Sequence, residues 1–434
     1  MIRTRGRTIK VKKSKEATII KREAYEAEPL FRMIAIPNRW CIHSYYTLSP
    51  YAPDGSGRLL LAGADLERGT GEVLVTDSSG SVLDRFGDSP LNSSFYHTGH
   101  WQTWGPDGKS VYYRGGTLKE PLMIRRELAT GREDVLEGDM EGAPPFGEPI
   151  ISGLLGMLYA AGYGENRYQP EQAPVPFSHR DKHGLFQYSF PNPGEAAGGG
   201  SKLVLSIQDV LERHPDRDKL AASDREIRER LGADEGLTLM CYCVRWNQDG
   251  SRLLFYFGNH CVVASRQEPR LAYIFTADRE FKEIHLAVDL SYGRRGVHWY
   301  WHPDGEHLLG YGPDPEQEGG MCLGSVRYDG SGYKKISAHA SGGHPSISPA
   351  DHNLLVTDES TMPGRVLLID LREDRVIRSL SLPRVYGAKE PPGRNPFRVC
   401  HHPVFSRDGE RLLINILPGR HAALAELNLK EALT

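Results

Sequence analysis

The sequence predicts an all-β protein: a seven-bladed β-propeller closed by an N-terminal strand, with a short helical insertion. Three observations carry that expectation. Gly 47 and Pro 29 in 434 residues are an excess that calls for frequent tight turns and argues against a helical bundle. A turn signature of x-Asp-Gly type, followed by an apolar strand, recurs at Asp54-Gly55, Asp107-Gly108, Asp249-Gly250, Asp304-Gly305, Asp351 and Asp408-Gly409, and each copy reads as a β-hairpin turn. The spacing is close to that of propeller blades, and the one long gap, Asp107 to Asp249, is wide enough to hide a further unit.

A second hairpin after each turn supplies the outer half of a blade. These span Val73–Arg85, Leu122–Leu136, Leu185–Ile207, Tyr273–Leu286, Ser325–Ile336, Leu367–Leu380 and Ala422–Leu429, seven in all. The third lies in the gap, where Ile150–Tyr163 would give inner strands and Gly184–Phe190 an outer one. The seventh is short, and Glu16–Lys21 is expected to complete it and close the ring, which protects the sheet edges. Ser206–Leu231 is charged and lacks alternation, so it reads as a helical insertion at about residues 206–232 between blades three and four. Gly194–Gly200 is expected to be a hairpin tip, without phosphate-loop spacing. Residues 1–434 are thus expected to form a single domain.

Lys+Arg 53 against Asp+Glu 56 leaves a net charge of −3, so no overall field favours nucleic acid or an anionic membrane. Mean hydropathy is −0.47, and no apolar run approaches the length of a membrane-spanning helix. The basic start (Arg3, Arg5, Arg7, Lys10, Lys12, Lys13, Lys15) is followed by no apolar stretch, so no secretory signal is expected and the location predicted is cytoplasmic. The six cysteines are too few and too irregular for a disulfide framework.

Histidines cluster near the repeated turns, in Tyr96-His97-Thr-Gly-His100-Trp101, Gly296-Val-His298, Gly343-His344-Pro345 and Cys400-His401-His402-Pro403. Inner strands of a propeller converge on its axis, so these side chains can meet. Imidazole and thiolate suit a transition metal, and four such groups complete a tetrahedral shell. The proposed set is His298, His344, Cys400 and His402. Strand alternation places Cys400 and His402 on one face and His401 on the other. The alternative is ordinary inter-blade packing of these groups. Cys241-Tyr242-Cys243 is a weaker metal candidate, since two thiols also fit a buried strand. Arg245, beside Trp246 on the same strand, is a candidate for bidentate contact with a substrate carboxylate or, equally, for an inter-blade ion pair.

The blade order, together with Gly343-His344-Pro345-Ser346-Ile-Ser348-Pro349 and Cys400-His401-His402-Pro403-Val-Phe405-Ser406-Arg407-Asp408-Gly409, resembles the seven-bladed propeller polysaccharide lyases: oligogalacturonate lyase, the propeller ulvan lyases and rhamnose-glucuronate lyase. Specific motifs are confined to the C-terminal half. The resemblance implies a lyase that cleaves a uronate-containing oligo- or polysaccharide by β-elimination, with a bound divalent metal, Zn first and Mn or Ca as alternatives. In such a reaction the uronate carboxylate must be neutralised before its C5 proton becomes acidic, and a base and an acid then act. The ulvan-type order of His, Tyr and Arg implies catalytic roles for His97 or His100, Tyr163 and Arg180, with Arg167 beside Tyr163 and Arg245 as substrate contacts. Each has a plainer reading: a turn cap for the histidines, a packed aromatic for Tyr163, surface arginines in a polar loop. Two departures stand out, for Tyr242 and Cys243 occupy the place of an Asn-His pair, and Thr117 that of a second early histidine. The alternative function is a non-catalytic propeller that binds glycans or proteins. A peptidase-associated propeller lacks support, as no Gly-x-Ser-x-Gly elbow follows.

Overall fold

The computed structural model describes residues 31–91, 95–117, 120–153, 177–191, 199–260, 262–359, 364–382, 399–418 and 421–433. Among them the strands form seven antiparallel sheets that are the seven blades of a propeller. Six sheets have four strands; the third shows three, Ile150–Ser152, Gly184–Ser189 and Gly200–Ser206. Gly184–Ser189 pairs directly with Ile150–Ser152, so it is the second strand of its blade and not an outer one.

The turn signature acts as the sequence suggests. Each turn aspartate accepts a hydrogen bond from the amide two residues on: Ser56 to Asp54 at 3.0 Å, Lys109 to Asp107 at 2.9 Å, Ser251 to Asp249 at 2.9 Å, Glu306 to Asp304 at 2.9 Å, Asn353 to Asp351 at 3.0 Å and Glu410 to Asp408 at 3.0 Å. The side chain mimics a backbone turn. The glycine that follows in five of them has φ of 69–74°, a conformation that L side chains resist.

Hydrophobic cores lie between successive blades. Leu59 and Leu61 of the first blade pack with Val404, Leu413 and Leu424 of the seventh, and Ile34 joins them. Ring closure is made by Phe31–Ile34, which adds the outermost strand to the seventh sheet in register Phe31 to Leu427 and Ile34 to Leu424. The predicted closing segment Glu16–Lys21 lies outside the described residues. Tyr51 of the first blade reinforces the joint by donating to Glu426 at 3.0 Å.

The insertion folds as two helices, Ile207–Arg213 and Arg217–Leu231. Ser206 and Asp209 form a reciprocal capping box at the first, and Ile207, Val210, Leu220 and Ile227 pack against Leu237, Leu239, Phe257 and Tyr273. His214 sits between the helices, its ring edge-on to Tyr273 at 4.4 Å, and its Nδ1 accepts from the Asp216 amide at 3.0 Å. No helix among the described residues is long and apolar enough to cross a membrane.

Two outcomes are expected. Ile34→Ala should lower unfolding free energy by about 2–5 kcal/mol in a denaturant titration, since it empties a fully buried site in the closing joint. Burial lowers the pKa of His214 from 6.5 to about 4 and of His100 from 6.5 to about 4. The unfolded chain therefore binds more protons than the native one in that window, and the melting temperature should fall as pH drops from about 6.5 toward 4.

Candidate metal centre and carboxylate pole in the channel

One backbone device repeats at the axis. The residue six positions before the turn aspartate is left-handed in four blades: Trp101 at φ 52°, Cys243 at 53°, His298 at 60° and His402 at 43°. In the fourth and fifth blades the strand register slips at this point, between Tyr242 and Arg245 and between Val297 and Tyr300. A bulge re-aims a side chain out of the pleat, and a non-glycine residue held there costs on the order of 1–3 kcal/mol. The sixth blade has Pro345 at this offset, and His344 just before it points inward instead.

Two of the re-aimed side chains, His298 and His402, flank His344. Ring centroids of His298 and His344 are 4.2 Å apart, His344 and His402 4.2 Å, and His97 and His402 4.7 Å. His97, on the short helix Phe95–Thr98, places Nδ1 at 3.1 Å from Cys400 Sγ. One donor atom each from His97, Cys400 and His402 lie within 4.8 Å of one another. Tyr45 and Tyr46, from the loop after strand Trp40–Ile42, complete the cluster. The Tyr45 ring lies 4.8 Å from His402 and 5.5 Å from His344, and the Tyr46 ring 5.2 Å from His344.

Three imidazoles are oriented through Nδ1. His298 faces the Gly343 carbonyl at 2.6 Å, His402 the Ser44 carbonyl at 3.2 Å, and His344 the Asp358 carboxylate at 3.0 and 3.1 Å. An acceptor there fixes the proton on Nδ1 and turns the Nε2 lone pair inward. Nε2 of His344 and of His402 is buried without a hydrogen-bond partner among the described residues. Burial drives the His298 and His402 imidazoles well below the usual range, with His344 nearby adding to it, so both are neutral, the state that ligates. Neutral inward nitrogens with a neighbouring thiol are a donor set that fits a divalent transition metal. Gly343 makes this possible, because a Cβ there would lie 1.6 Å from the Asp358 carbonyl oxygen.

The predicted metal residues His298, His344, Cys400 and His402 thus converge, and His401 turns away to bond the Asn415 carbonyl at 2.7 Å. His97, expected as a catalytic group, lies in the same cluster. His100 does not: it is buried next to Arg114, whose amide donates to the His100 carbonyl at 2.8 Å. Arg180 is likewise drawn elsewhere, for it bonds Asp224 of the insertion at 2.8 Å and the Leu237 carbonyl at 2.8 Å. Helix packing, invisible in its local sequence, claims that guanidinium. Tyr163 and Arg167 lie outside the described residues. Cys241 packs in the core between blades three and four while Cys243 faces the channel, so the two thiols form no ligand pair.

A second group of charges also borders Tyr45. Arg245 lies with Cζ 5.4 Å from the Tyr45 ring and 5.8 Å from Trp101, and its Nη1 is 3.7 Å from Glu141 Oε2. Cys243 Sγ donates to Glu141 Oε1 at 3.7 Å. Two residues before Glu141, Asp139 is wholly buried and pairs with Arg114 Nε at 2.6 Å. Burial, opposed by Arg114 and helped by Glu141, pushes the Asp139 carboxyl up to about 7. Tyr45, Tyr46, Asp358 and Glu141 had no place in the sequence reading. The six-residue offset before each turn aspartate was the available signal for the channel positions.

No protein-family model matches the sequence, and no curated protein sequence matches it. Among solved structures, an oligogalacturonate lyase in complex with manganese superposes with a TM-score of 0.58 at 16% identity, covering 93% of this chain and 97% of that one. The fold is shared with oligogalacturonate lyase. A second such enzyme, from Vibrio parahaemolyticus, has a TM-score of 0.58 at 12% identity and covers 93% and 94%. At this identity the likeness speaks for the propeller alone.

Asp358→Asn should leave the fold intact and weaken metal binding about 10–100-fold, because it disturbs the group that orients His344. Competition against a chromophoric chelator measures this.

Proposed function

We propose that this protein is a metal-containing propeller lyase that cleaves a uronate-bearing oligosaccharide, of which oligogalacturonate is the first candidate, by β-elimination. The observation that carries the reading is the convergence on one axis of His97, His298, His344, Cys400 and His402 beside a guanidinium–carboxylate pair. The shared fold with oligogalacturonate lyase supports the reaction class.

His402, Cys400, His344 and His97 or His298 would hold the ion, and Zn²⁺ best suits a set that includes a thiol. When bound it supplies positive charge at the axis and, with a thiolate in a closed shell, chiefly cross-links blades. Arg245 takes the uronate carboxylate, which lowers the cost of charge developing at C5. His97, tied to Cys400, serves the ion and not proton transfer. Tyr163 remains the candidate to protonate the leaving oxygen.

The test is to incubate the purified, metal-loaded protein with uronate oligomers, including oligogalacturonates and glucuronate-containing glycans, and to follow the ultraviolet absorbance of the unsaturated product. Turnover on at least one member is expected, together with a lower melting temperature after chelation. Silence across the panel with retained glycan binding would favour a non-catalytic glycan-binding propeller.

A further inference from the structure

Glu141 is a buried carboxylate whose partners are few. Its side chain is 6% exposed, yet among the described residues no N–H or O–H donates to it. Its contacts are the Cys243 thiol at 3.7 Å and Arg245 Nη1 at 3.7 Å, both longer than a strong charge-assisted bond. A desolvated carboxylate left in this state is unusual for packing alone, and it is the arrangement of a group kept ready for a ligand's proton. The backbone delivers it deliberately: the chain turns at Gly142, φ 93°, and the left-handed bulge at Cys243 brings the thiol against it.

We infer that Glu141 is the general base of this channel, taking the C5 proton of a uronate whose carboxylate is held by Arg245. The assignment rests on the lyase reading above. Arg245 is fixed by its bond to the Val244 carbonyl at 2.8 Å and by the Tyr45 and Trp101 rings, so a sugar carboxylate docked on it brings C5 to the neighbouring carboxylate. In the step, the C5–H bond breaks and its proton goes to a Glu141 oxygen. The freed pair forms the C4=C5 double bond, the C4–O4 bond breaks with its pair on O4, and O4 takes a proton from the general acid of the proposed reaction, which water then reprotonates. Glu141 then returns its proton to solvent.

Glu141→Gln tests the assignment, since it removes the base and keeps the shape. On a substrate that the unaltered protein cleaves, kcat should fall about 10²–10⁴-fold with KM nearly unchanged and with bound metal and melting temperature as before. Glu141→Ala should regain turnover on addition of formate, which a purely structural role does not predict. Glu141→Gln within threefold of the unaltered protein overturns the assignment while leaving the lyase reading standing. So does a loss that tracks lost metal or lost fold with no recovery by formate in Glu141→Ala. An unaltered protein that cleaves no member of the panel removes the lyase reading and this assignment with it.

Discussion

Inner strands of a propeller run along a crowded axis, and an extended strand presents its side chains to its neighbours rather than into the centre. In four blades a left-handed residue six positions before the turn aspartate resolves this, at Trp101, Cys243, His298 and His402. In these four blades the left-handed residue stands at a constant distance from the turn, so the same position is turned out of the pleat each time. Strain of this kind persists only where surrounding structure over-determines it. Here the inter-blade cores and the paired second strand supply that constraint.

Orientation of the imidazoles then depends on the ring as a whole. His298 is oriented by Gly343 of the next blade, and His402 by Ser44 of the first. The contact between His402 and Ser44 spans the joint that Phe31–Ile34 closes. An opened ring would therefore lose the donor set before it lost most of its strands. Metal affinity and closure are two readings of one geometry, and an ion that bridges the donors of several blades stabilises the closed form in proportion to its affinity.

Much of the fold was legible because its signals are local. Asp-Gly turns announce themselves by residue type, and Ser206 to Leu231 breaks alternation clearly enough to read as helices. The convergence of His298, His344, Cys400 and His402 could be read because each stands a short interval, six to eight residues, before its turn aspartate. Arg180 could not be placed, because its partner Asp224 is separated from it by both strands and helices. Glu141 was silent for a related reason: it lies in a link between blades, where no periodicity marks a residue as inward. Tyr45 and Tyr46 look like ordinary aromatics until the seventh blade is brought beside the first.

The channel also separates two kinds of ligand chemistry. Imidazoles with the Cys400 thiol form one group bordering Tyr45, and Glu141, Asp139 and their guanidiniums form another. Asp139 and Glu141 alone would attract a hard cation such as Ca²⁺ or Mg²⁺. Arg114 and Arg245 set one positive charge against each carboxylate, which cancels that attraction and leaves the neutral nitrogens and sulfur as the better cation site. The same guanidiniums make the carboxylate side attractive to an anion. A uronate, which carries a carboxylate on a neutral ring, meets both conditions: its charge is drawn to Arg245, and its ring can lie against the aromatic faces of Tyr45 and Trp101. On the proposed reading, these two groups would together set the place of the metal and the direction of the sugar.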